Sequence, residues 1–203
     1  MSPKKTHTRR FVRHLYLLCF SALICACQTT PPPLNIDPDL RYRKLSKLKH
    51  WAAKGKLSLS HNQGRNSASY TWQQIDDHFK IHLFGPLGQG STWLKSDDNG
   101  VSIEGADIEL KTAANPELLM EQTLGWQLPV SNLRYWITGL PSPETPVTYS
   151  PETPESSIPG FIQDGWVIEY SKAKVHNDIA MPEKAIFTRD NLRLLVIIKG
   201  WEI

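Results

Sequence analysis

Apolar and polar residues alternate with a period of two over long stretches of the chain after residue 56. This is the period of a β-strand that buries one face. The alternating apolar positions are Leu57 and Leu59, then Ala68, Tyr70 and Trp72, then Phe79, Ile81 and Leu83, and strand-like runs follow at 91–96, 101–104 and 108–112. Because short turns rich in Asp and Gly separate the runs, the pattern predicts an antiparallel meander.

Helical spacing is found before and after this meander. Asp37 followed by Pro38 is typical of a helix start. The apolar residues Leu45, Leu48, Trp51 and Ala52 then recur at helical spacing, which predicts a first helix that runs to about Ala53.

Two further helices are predicted after the meander. Asn115-Pro116 opens the first, which ends at Gly125 and carries Leu118, Leu119 and Leu124 as its apolar residues. The second begins at Ser131 or Asn132 and ends at Gly139, with Leu133, Trp136 and Ile137 as its apolar residues. The following segment, 141–159, contains Pro-Glu-Thr-Pro twice, a composition that indicates a poorly structured loop.

The last part of the chain returns to strands, at 161–162, 166–171, 185–188 and 192–198. Strands therefore outnumber helices, and most follow one another with short turns. The expected fold is mainly β: one strongly curved antiparallel sheet covered by a few helices.

The chain has 203 residues, which corresponds to one domain with at most an appendage. Its net charge of +3 would favour nucleic acid weakly, but five of the 23 Lys and Arg lie within the first 13 residues. An apolar run from Leu15 to Ile24 follows them, which is the layout of a secretory signal. Residues 27–203 hold 18 Lys and Arg against 20 Asp and Glu, so no nucleic-acid partner is expected.

The end of this signal, Ile24-Cys25-Ala26-Cys27, resembles a bacterial lipobox. The resemblance implies cleavage after Ala26 and lipidation of Cys27. An ordinary secretory signal with a chance cysteine is the alternative. After cleavage behind Ala26, Cys27 is the one cysteine that remains, so no intrachain disulfide is expected.

The sequence thus divides into a signal peptide at 1–26, a tether at 27–36 and a single domain at 37–203. Three prolines at 31–33 make the tether stiff and extended. Gln28 follows the lipobox cysteine, and by resemblance to lipoproteins of Gram-negative bacteria the absence of Asp there favours the outer membrane. Seven Lys or Arg without an acid between residues 41 and 56 form either a face that meets anionic headgroups or a plain solvated face.

Catalytic and metal-binding motifs are not predicted. The glycine-rich segment at 85–92 carries Ser91 where a P-loop needs Lys, and a strand follows it instead of a helix. His78 and His82 share a polar strand face with Lys80, a cation that opposes metal binding. We expect neither an enzyme nor a cofactor, although an active site assembled from distant residues stays open.

Leu87 is unusual because it stands between Pro86 and Gly88 in a loop that should be polar. An apolar loop tip is favourable when it contacts a membrane or another apolar surface. The alternative is a tip that folds back onto the core.

Several of these segments together resemble the LolB family of outer-membrane lipoprotein receptors. The matching segments are the lipobox, Trp72-Gln73-Gln74, Gly85-Pro86-Leu87-Gly88, the run from Asn132 to Pro141, Met181-Pro182, Leu192-Arg193-Leu194 and Trp201. They occur in the family's order over nearly the whole chain after the signal, and Leu-Arg-x-Trp-Ile-x-Gly-Leu-Pro is the most specific. Gly85, where the family usually has Asn, and the long Pro-rich loop depart from the pattern.

The resemblance implies an incomplete β-barrel of the LolA/LolB type with a helical lid over an apolar cavity. It implies a receptor that accepts acylated lipoproteins from the periplasmic carrier LolA and inserts them into the inner leaflet of the outer membrane. Pro86, Leu87 and Gly88 would form the membrane-insertion loop, and the protein would be a monomer. Our candidates for the acyl cavity are Trp72, Trp93, Leu94, Leu118, Leu119, Leu133, Trp136 and Phe187, each of which could instead be ordinary core.

Two other classes of function remain open at this stage. A structural or assembly lipoprotein could bind a protein partner or another lipid in the same half-barrel. A lipid-modifying hydrolase would need a Ser or His placed beside the cavity.

Overall fold

A short helix, α1 (Pro38–Leu45), begins the part of the chain that the structure describes. The structure is a computed structural model in which residues 37–88, 90–125, 128–150 and 158–203 are described. Asp37 caps α1, since its side chain accepts hydrogen bonds from the backbone N–H groups of Asp39 at 2.9 Å and Leu40 at 3.1 Å. The predicted signal peptide and the tether up to residue 36 lie outside the described residues.

The prediction that the first helix reaches Ala53 is wrong. It ends at Leu45, and strand β1 begins at His50. Trp51 and Ala53 are buried and Ala52 is not, so this segment has the period of the strand into which it continues. The pairing of Trp51 with Gln74 and of Ala53 with Trp72 on the next strand decides its conformation.

Eleven strands within the described ranges form one antiparallel sheet. They are β1 (His50–His61), β2 (Gly64–Ile75), β3 (His78–Phe84), β4 (Thr92–Asp97), β5 (Gly100–Gly105), β6 (Ile108–Ala113), β7 (Thr148–Tyr149), β8 (Phe161–Gln163), β9 (Trp166–His176), β10 (Ile179–Arg189) and β11 (Leu192–Glu202). Their spatial order is β6-β5-β4-β3-β2-β1-β11-β10-β9-β8-β7, so β6 and β7 are edges and the sheet does not close. The predicted mainly-β fold with an incomplete antiparallel barrel is confirmed.

The two halves of this sheet meet at its centre, where β1 pairs with β11. The register joins Ala52 to Glu202 and Ser60 to Arg193, with an irregularity between Lys54 and Gly55. A Cβ atom on Gly55 would lie 1.9 Å from the carbonyl oxygen of Ile197, so the close approach of the two backbones requires glycine there.

Two helices connect β6 to β7, α2 (Pro116–Leu124) and α3 (Val130–Trp136). Asn115 caps α2 by accepting a hydrogen bond from Leu118 N at 2.8 Å, and Gly125 ends it in the left-handed conformation, as the sequence predicts. The carboxylate of Glu117 joins the helices by accepting a hydrogen bond from Ser131 N at 2.8 Å.

The Pro-rich loop after α3 is partly ordered by a buried amide. Gln163 is 1% exposed, and its Oε1 accepts hydrogen bonds from the indole of Trp136 at 2.8 Å and from Ser142 N at 2.9 Å. Its Nε2 donates to the carbonyl oxygens of Ser142 and Thr145, both at 2.8 Å. All of these buried groups are therefore paired, which fixes α3 against β8. Residues 151–157 of the loop lie outside the described residues.

A buried guanidinium attaches α1 to the end of α3. Arg41 is 7% exposed, and it donates to the carbonyl oxygens of Ala180 at 2.9 Å, Gly139 at 2.9 Å and Thr138 at 2.6 Å. Burial lowers the pKa of Arg41 to about 10, so it stays a cation at neutral pH. Gly139 has φ +85°, and a Cβ atom there would lie 2.2 Å from Nη2 of Arg41, so both features require glycine. For the basic segment 41–56 we predicted either a face that meets anionic headgroups or a plain solvated face. Because Arg41 is buried, it belongs to neither.

We predict that Arg41→Met destabilises the protein by about 2–4 kcal/mol, because three carbonyl groups lose their donor while the methionine fills a similar volume. Urea unfolding followed by circular dichroism would measure this change. Arg43→Met is the matched control, since Arg43 lies on the same helix and is exposed. Equal effects of the two substitutions would contradict the anchoring role of Arg41.

Candidate functional site

A cavity of about 280 Å³ lies between the inner face of the sheet and helices α2 and α3. Its wall includes Leu57, Leu59, Asn66, Ser67, Ala68, Tyr70, Trp72, Ile81, Leu83, Leu94, Met120, Leu128, Val130, Leu133, Ile137, Phe187, Leu194 and Val196. Among these described residues there is no charged side chain. The site is therefore suited to an apolar ligand.

Strand and helix periodicity explain this composition. Ala68, Tyr70 and Trp72 are alternate residues of β2, so their side chains share the inner face. On the helical side, Val130, Leu133 and Ile137 follow one another at spacings of three and four, which places them on one face of α3 and its last turn.

The cavity opens at the end of the sheet that holds the β1–β2 turn. Asn66 and Ser67 are exposed, Leu57, Ala68 and Leu83 are half-buried, and the other residues of the described wall are buried. These five residues are close together because Leu57 pairs with Ala68, and Leu83 with Tyr70, across neighbouring strands. We call this group the mouth of the cavity.

The loop with the apolar tip begins beside the mouth. Leu83 belongs to the mouth, β3 ends at Phe84, and Pro86–Gly88 then forms a 3-10 turn. Gly88 has φ +80°, a conformation that favours glycine, and its N–H donates to the carbonyl oxygen of Gly85 at 3.2 Å. Pro86 and Gly88 are exposed. The backbone of Leu87 lies in this turn, and its side chain is outside the described part of the structure.

Four of the predicted cavity residues line the wall and four do not. Trp72, Leu94, Leu133 and Phe187 belong to the wall. Leu119 and Trp136 are fully buried in the core behind it, and Leu118, next to Leu119 on α2, is 40% exposed.

Trp93 lies on the outer face of the sheet. It pairs with His82 of β3, and the two rings stack at 3.9 Å between centroids and 2° between planes. Leu94 occupies the inner face, so its neighbour Trp93 must point the other way. The predicted cavity role of Trp93 is therefore corrected: it packs against His82 and beneath the ammonium group of Lys80.

Some cavity residues were not among our candidates, although the sequence contains a pattern that includes them. Leu57, Leu59, Tyr70 and Ile81 are all alternating apolar positions of the first three strands. Their alternation predicted a buried face, but it does not distinguish a filled core from the wall of a cavity.

Polar contacts at the surface make a small contribution to the attachment of α3 over the cavity. Arg134 donates from Nη1 to the carboxylate of Asp77 at 2.7 Å, and Asn132 donates to the carboxylate of Asp164 at 2.7 Å. Asp77 is 85% exposed, and an exposed ion pair contributes about 1 kcal/mol or less. The apolar face of α3 therefore provides most of its attachment.

The described residues offer no evident catalytic or metal centre. No group of three or more His, Cys, Asp or Glu residues that could hold a metal ion occurs among them. His78 lies 3.2 Å from the carboxylate of Asp98, and His82 stacks on Trp93 on the outer face. Within the described wall, Ser67 donates a hydrogen bond to Ser58 at 3.0 Å, and no His or acid stands in the wall to activate it.

No helix in the described part of the chain is both long enough and apolar enough to cross a bilayer.

The fold and the cavity together define a class: an open antiparallel half-barrel that encloses an apolar ligand cavity beneath helices. The family model described as "Outer membrane lipoprotein LolB" matches residues 49–201. A protein named "Outer-membrane lipoprotein LolB" from Francisella tularensis subsp. tularensis (strain WY96-3418) is 35% identical over 208 residues, which cover 100% of both chains. The protein of the same name from Marinomonas sp. (strain MWYL1) is 33% identical over 198 residues, 94% of this chain and 98% of that one. The chain therefore belongs to the LolB family.

The solved structures that match this chain have very different sequences. The LolA superfamily protein from Nitrosomonas europaea has a TM-score of 0.48 and 4% identity, covering 83% of this chain and 94% of that one. A putative outer membrane lipoprotein-sorting protein domain from Vibrio parahaemolyticus has a TM-score of 0.47 and 8% identity, covering 81% of this chain and 89% of that one.

We predict that Ala68→Phe lowers the affinity for an apolar fluorescent dye about tenfold, because the ring occupies space at the mouth of the cavity. The free energy of unfolding should change by less than about 1.5 kcal/mol, since Ala68 is half-buried beside open space. Dye titration and urea unfolding measure the two quantities. Ser69→Phe is the matched control on the opposite face of β2. An equal loss of dye binding in both variants would show that the mouth lies elsewhere.

Proposed function

We propose that this protein is a lipid-anchored receptor of the outer membrane that accepts acylated lipoproteins from the carrier LolA and inserts them into the inner leaflet. The observation that carries the proposal is a cavity with an uncharged wall that opens beside the Pro86–Gly88 turn, in a chain of the LolB family. In this proposal the protein acts as a monomer, faces the periplasm and catalyses no reaction.

Acyl chains suit the cavity because they bury apolar surface without bringing charge into it. Each buried CH₂ group contributes about 0.8 kcal/mol. The volume of about 280 Å³ lies near the lower end of the usual range for ligand pockets. Several chains at once would require α3 to move outward. The weak surface ion pair of Arg134 with Asp77 is compatible with such a movement.

The anchor of the receptor would be the acylated Cys27, followed by the tether at 27–36. An amino-terminal lipid anchor with more than one acyl chain binds a bilayer stably, so the protein would not leave its membrane unaided. The cavity would then stay within reach of the membrane surface while the carrier supplies cargo.

Transfer needs no nucleotide in this scheme. Cargo moves from the carrier to the receptor and then to the bilayer if each partner binds the acyl chains more strongly than the one before. Pro86, Leu87 and Gly88 would assist the last step, since the turn is next to the mouth through which the chains leave.

The first test is transfer of a radiolabelled lipoprotein from its LolA complex to the chain with Cys27→Ala, made behind a cleavable secretory signal. We expect a soluble protein that accepts one cargo molecule per chain without nucleotide. An affinity tag on the Cys27→Ala chain separates it from the carrier, and the label that it retains measures the transfer.

The acylated wild-type chain in vesicles is the control for this transfer. No transfer to either folded protein would contradict the receptor function and favour a lipoprotein that binds a protein partner. Transfer to the wild type alone would show that the anchor takes part in binding.

The second test separates acceptance from delivery. We predict that Leu87→Glu accepts cargo normally but delivers it to vesicles at least tenfold more slowly, since a carboxylate at the loop tip is costly to bring into the apolar part of a bilayer. Sedimentation of vesicles with labelled lipoprotein measures delivery. Leu110→Glu, at a leucine that is 64% exposed on β6, is the control. Delivery at the wild-type rate by Leu87→Glu would rule out the role of the loop.

A further inference from the structure

Two tyrosines in the interior differ in how their hydroxyl groups are bonded. Tyr170 is 4% exposed and donates to the carbonyl oxygen of Trp136 at 2.6 Å. Tyr70 is 2% exposed, and its hydroxyl is shielded from solvent with no hydrogen-bond partner among the described residues. A buried hydroxyl without a partner is costly, so native structures rarely keep one without a reason.

Tyr70 lies in the wall of the cavity at the boundary between its mouth and its interior. Along β2 the residues of the wall pass from exposed Asn66 through half-buried Ala68 to buried Tyr70 and Trp72. Tyr70 is therefore the first position on this strand that is closed to solvent. Directly across from it, β1 has Gly55, so that strand places no side chain beside the ring.

The interior beyond Tyr70 has no free polar group in the described wall. The indole of Trp72 donates to Oε1 of Gln74 at 3.1 Å, and the amide of Gln74 donates in turn to the carbonyl oxygen of Asp76 at 2.9 Å. The remaining interior residues are aliphatic or are Met120 and Phe187. The hydroxyl of Tyr70 is thus the one unpaired polar side-chain group among the buried residues of the described wall.

Burial raises the pKa of Tyr70, so its hydroxyl stays protonated and is available as a donor. A ligand that pairs with this hydroxyl must carry a hydrogen-bond acceptor at the point where its apolar chain begins. An acyl chain does so, because the carbonyl oxygen of its ester or amide stands where the chain begins.

We propose that the Tyr70 hydroxyl donates a hydrogen bond to the carbonyl oxygen of a bound acyl chain and so sets the depth to which the chain enters. This inference rests on the proposed acyl-binding function and names the chemical group that the cavity recognises. This hydrogen bond distinguishes an acyl chain from an alkyl chain of the same length, which apolar contact alone cannot do.

The test uses two probes that differ by one carbonyl group. One is a short soluble peptide that carries a saturated chain through an ester, and the other carries the same chain through an ether. Each is titrated against the full chain with Cys27→Ala, and binding is measured by displacement of an apolar fluorescent dye. The wild-type tyrosine should bind the ester about five- to tenfold more tightly than the ether.

Tyr70→Phe removes the hydroxyl and keeps the ring. We expect it to bind both probes with the affinity that the wild type has for the ether. Because it also removes an unpaired buried group, its melting temperature should be equal to or higher than that of the wild type. Tyr170→Phe is the matched control, for which we expect unchanged discrimination and a melting temperature lower by roughly 2–4 °C.

The outcomes separate this inference from the function on which it rests. Equal binding of ester and ether by the wild type, or discrimination that survives in Tyr70→Phe, would overturn the role of Tyr70 and leave the acyl cavity standing. Failure of the wild type to bind either probe would overturn both. A melting temperature that falls in Tyr70→Phe as it does in Tyr170→Phe would show that the hydroxyl has an internal partner, which also contradicts the proposal.

Discussion

The structure depends on one imbalance. The inner face of the sheet has more apolar surface than the helices can cover. Alternate residues of at least six strands point inward, whereas α2 and α3 are nine and seven residues long. A surface of this kind normally packs without voids. Here a cavity of about 280 Å³ remains between the sheet and the helices. The cavity is therefore a product of the architecture and does not depend on a particular set of polar residues.

The alternation of side chains between the two faces of a strand explains which cavity residues were predicted correctly and which were not. Trp93 and Leu94 are neighbours on β4, so one strand face could take only one of them, and Leu94 is the residue in the wall. The alternation of the sequence was enough to predict the sheet and its inner face. It could not show which inner residues touch empty space and which, like Trp136, are covered on all sides, because that depends on where the helices end.

Long-range contacts account for the other differences. The spacing of Leu45, Leu48, Trp51 and Ala52 fits a helix, and the strand period of the same segment appears once β2 lies beside it. Local patterns carry no information about such a neighbour. Arg41 is a second example of what local patterns miss. Its place in a basic segment predicted an exposed side chain, whereas its guanidinium is enclosed by the carbonyl groups of residues 138, 139 and 180. The family resemblance, which rests on ordered motifs over most of the chain, was confirmed.

The order of strands also has a consequence for how the protein is made. β1 and β11 are neighbours at the centre of the sheet, although Leu59 and its partner Leu194 are 135 positions apart in the sequence. Strands β1–β6 can pair with one another as they emerge, but β1 keeps one open edge until β11 arrives. Half of the cavity wall is therefore synthesised long before the strand that completes it. Until β11 is available, the apolar face and the free edge of β1 are accessible to other unfolded chains, so this edge is where the incomplete sheet is most open to wrong pairing.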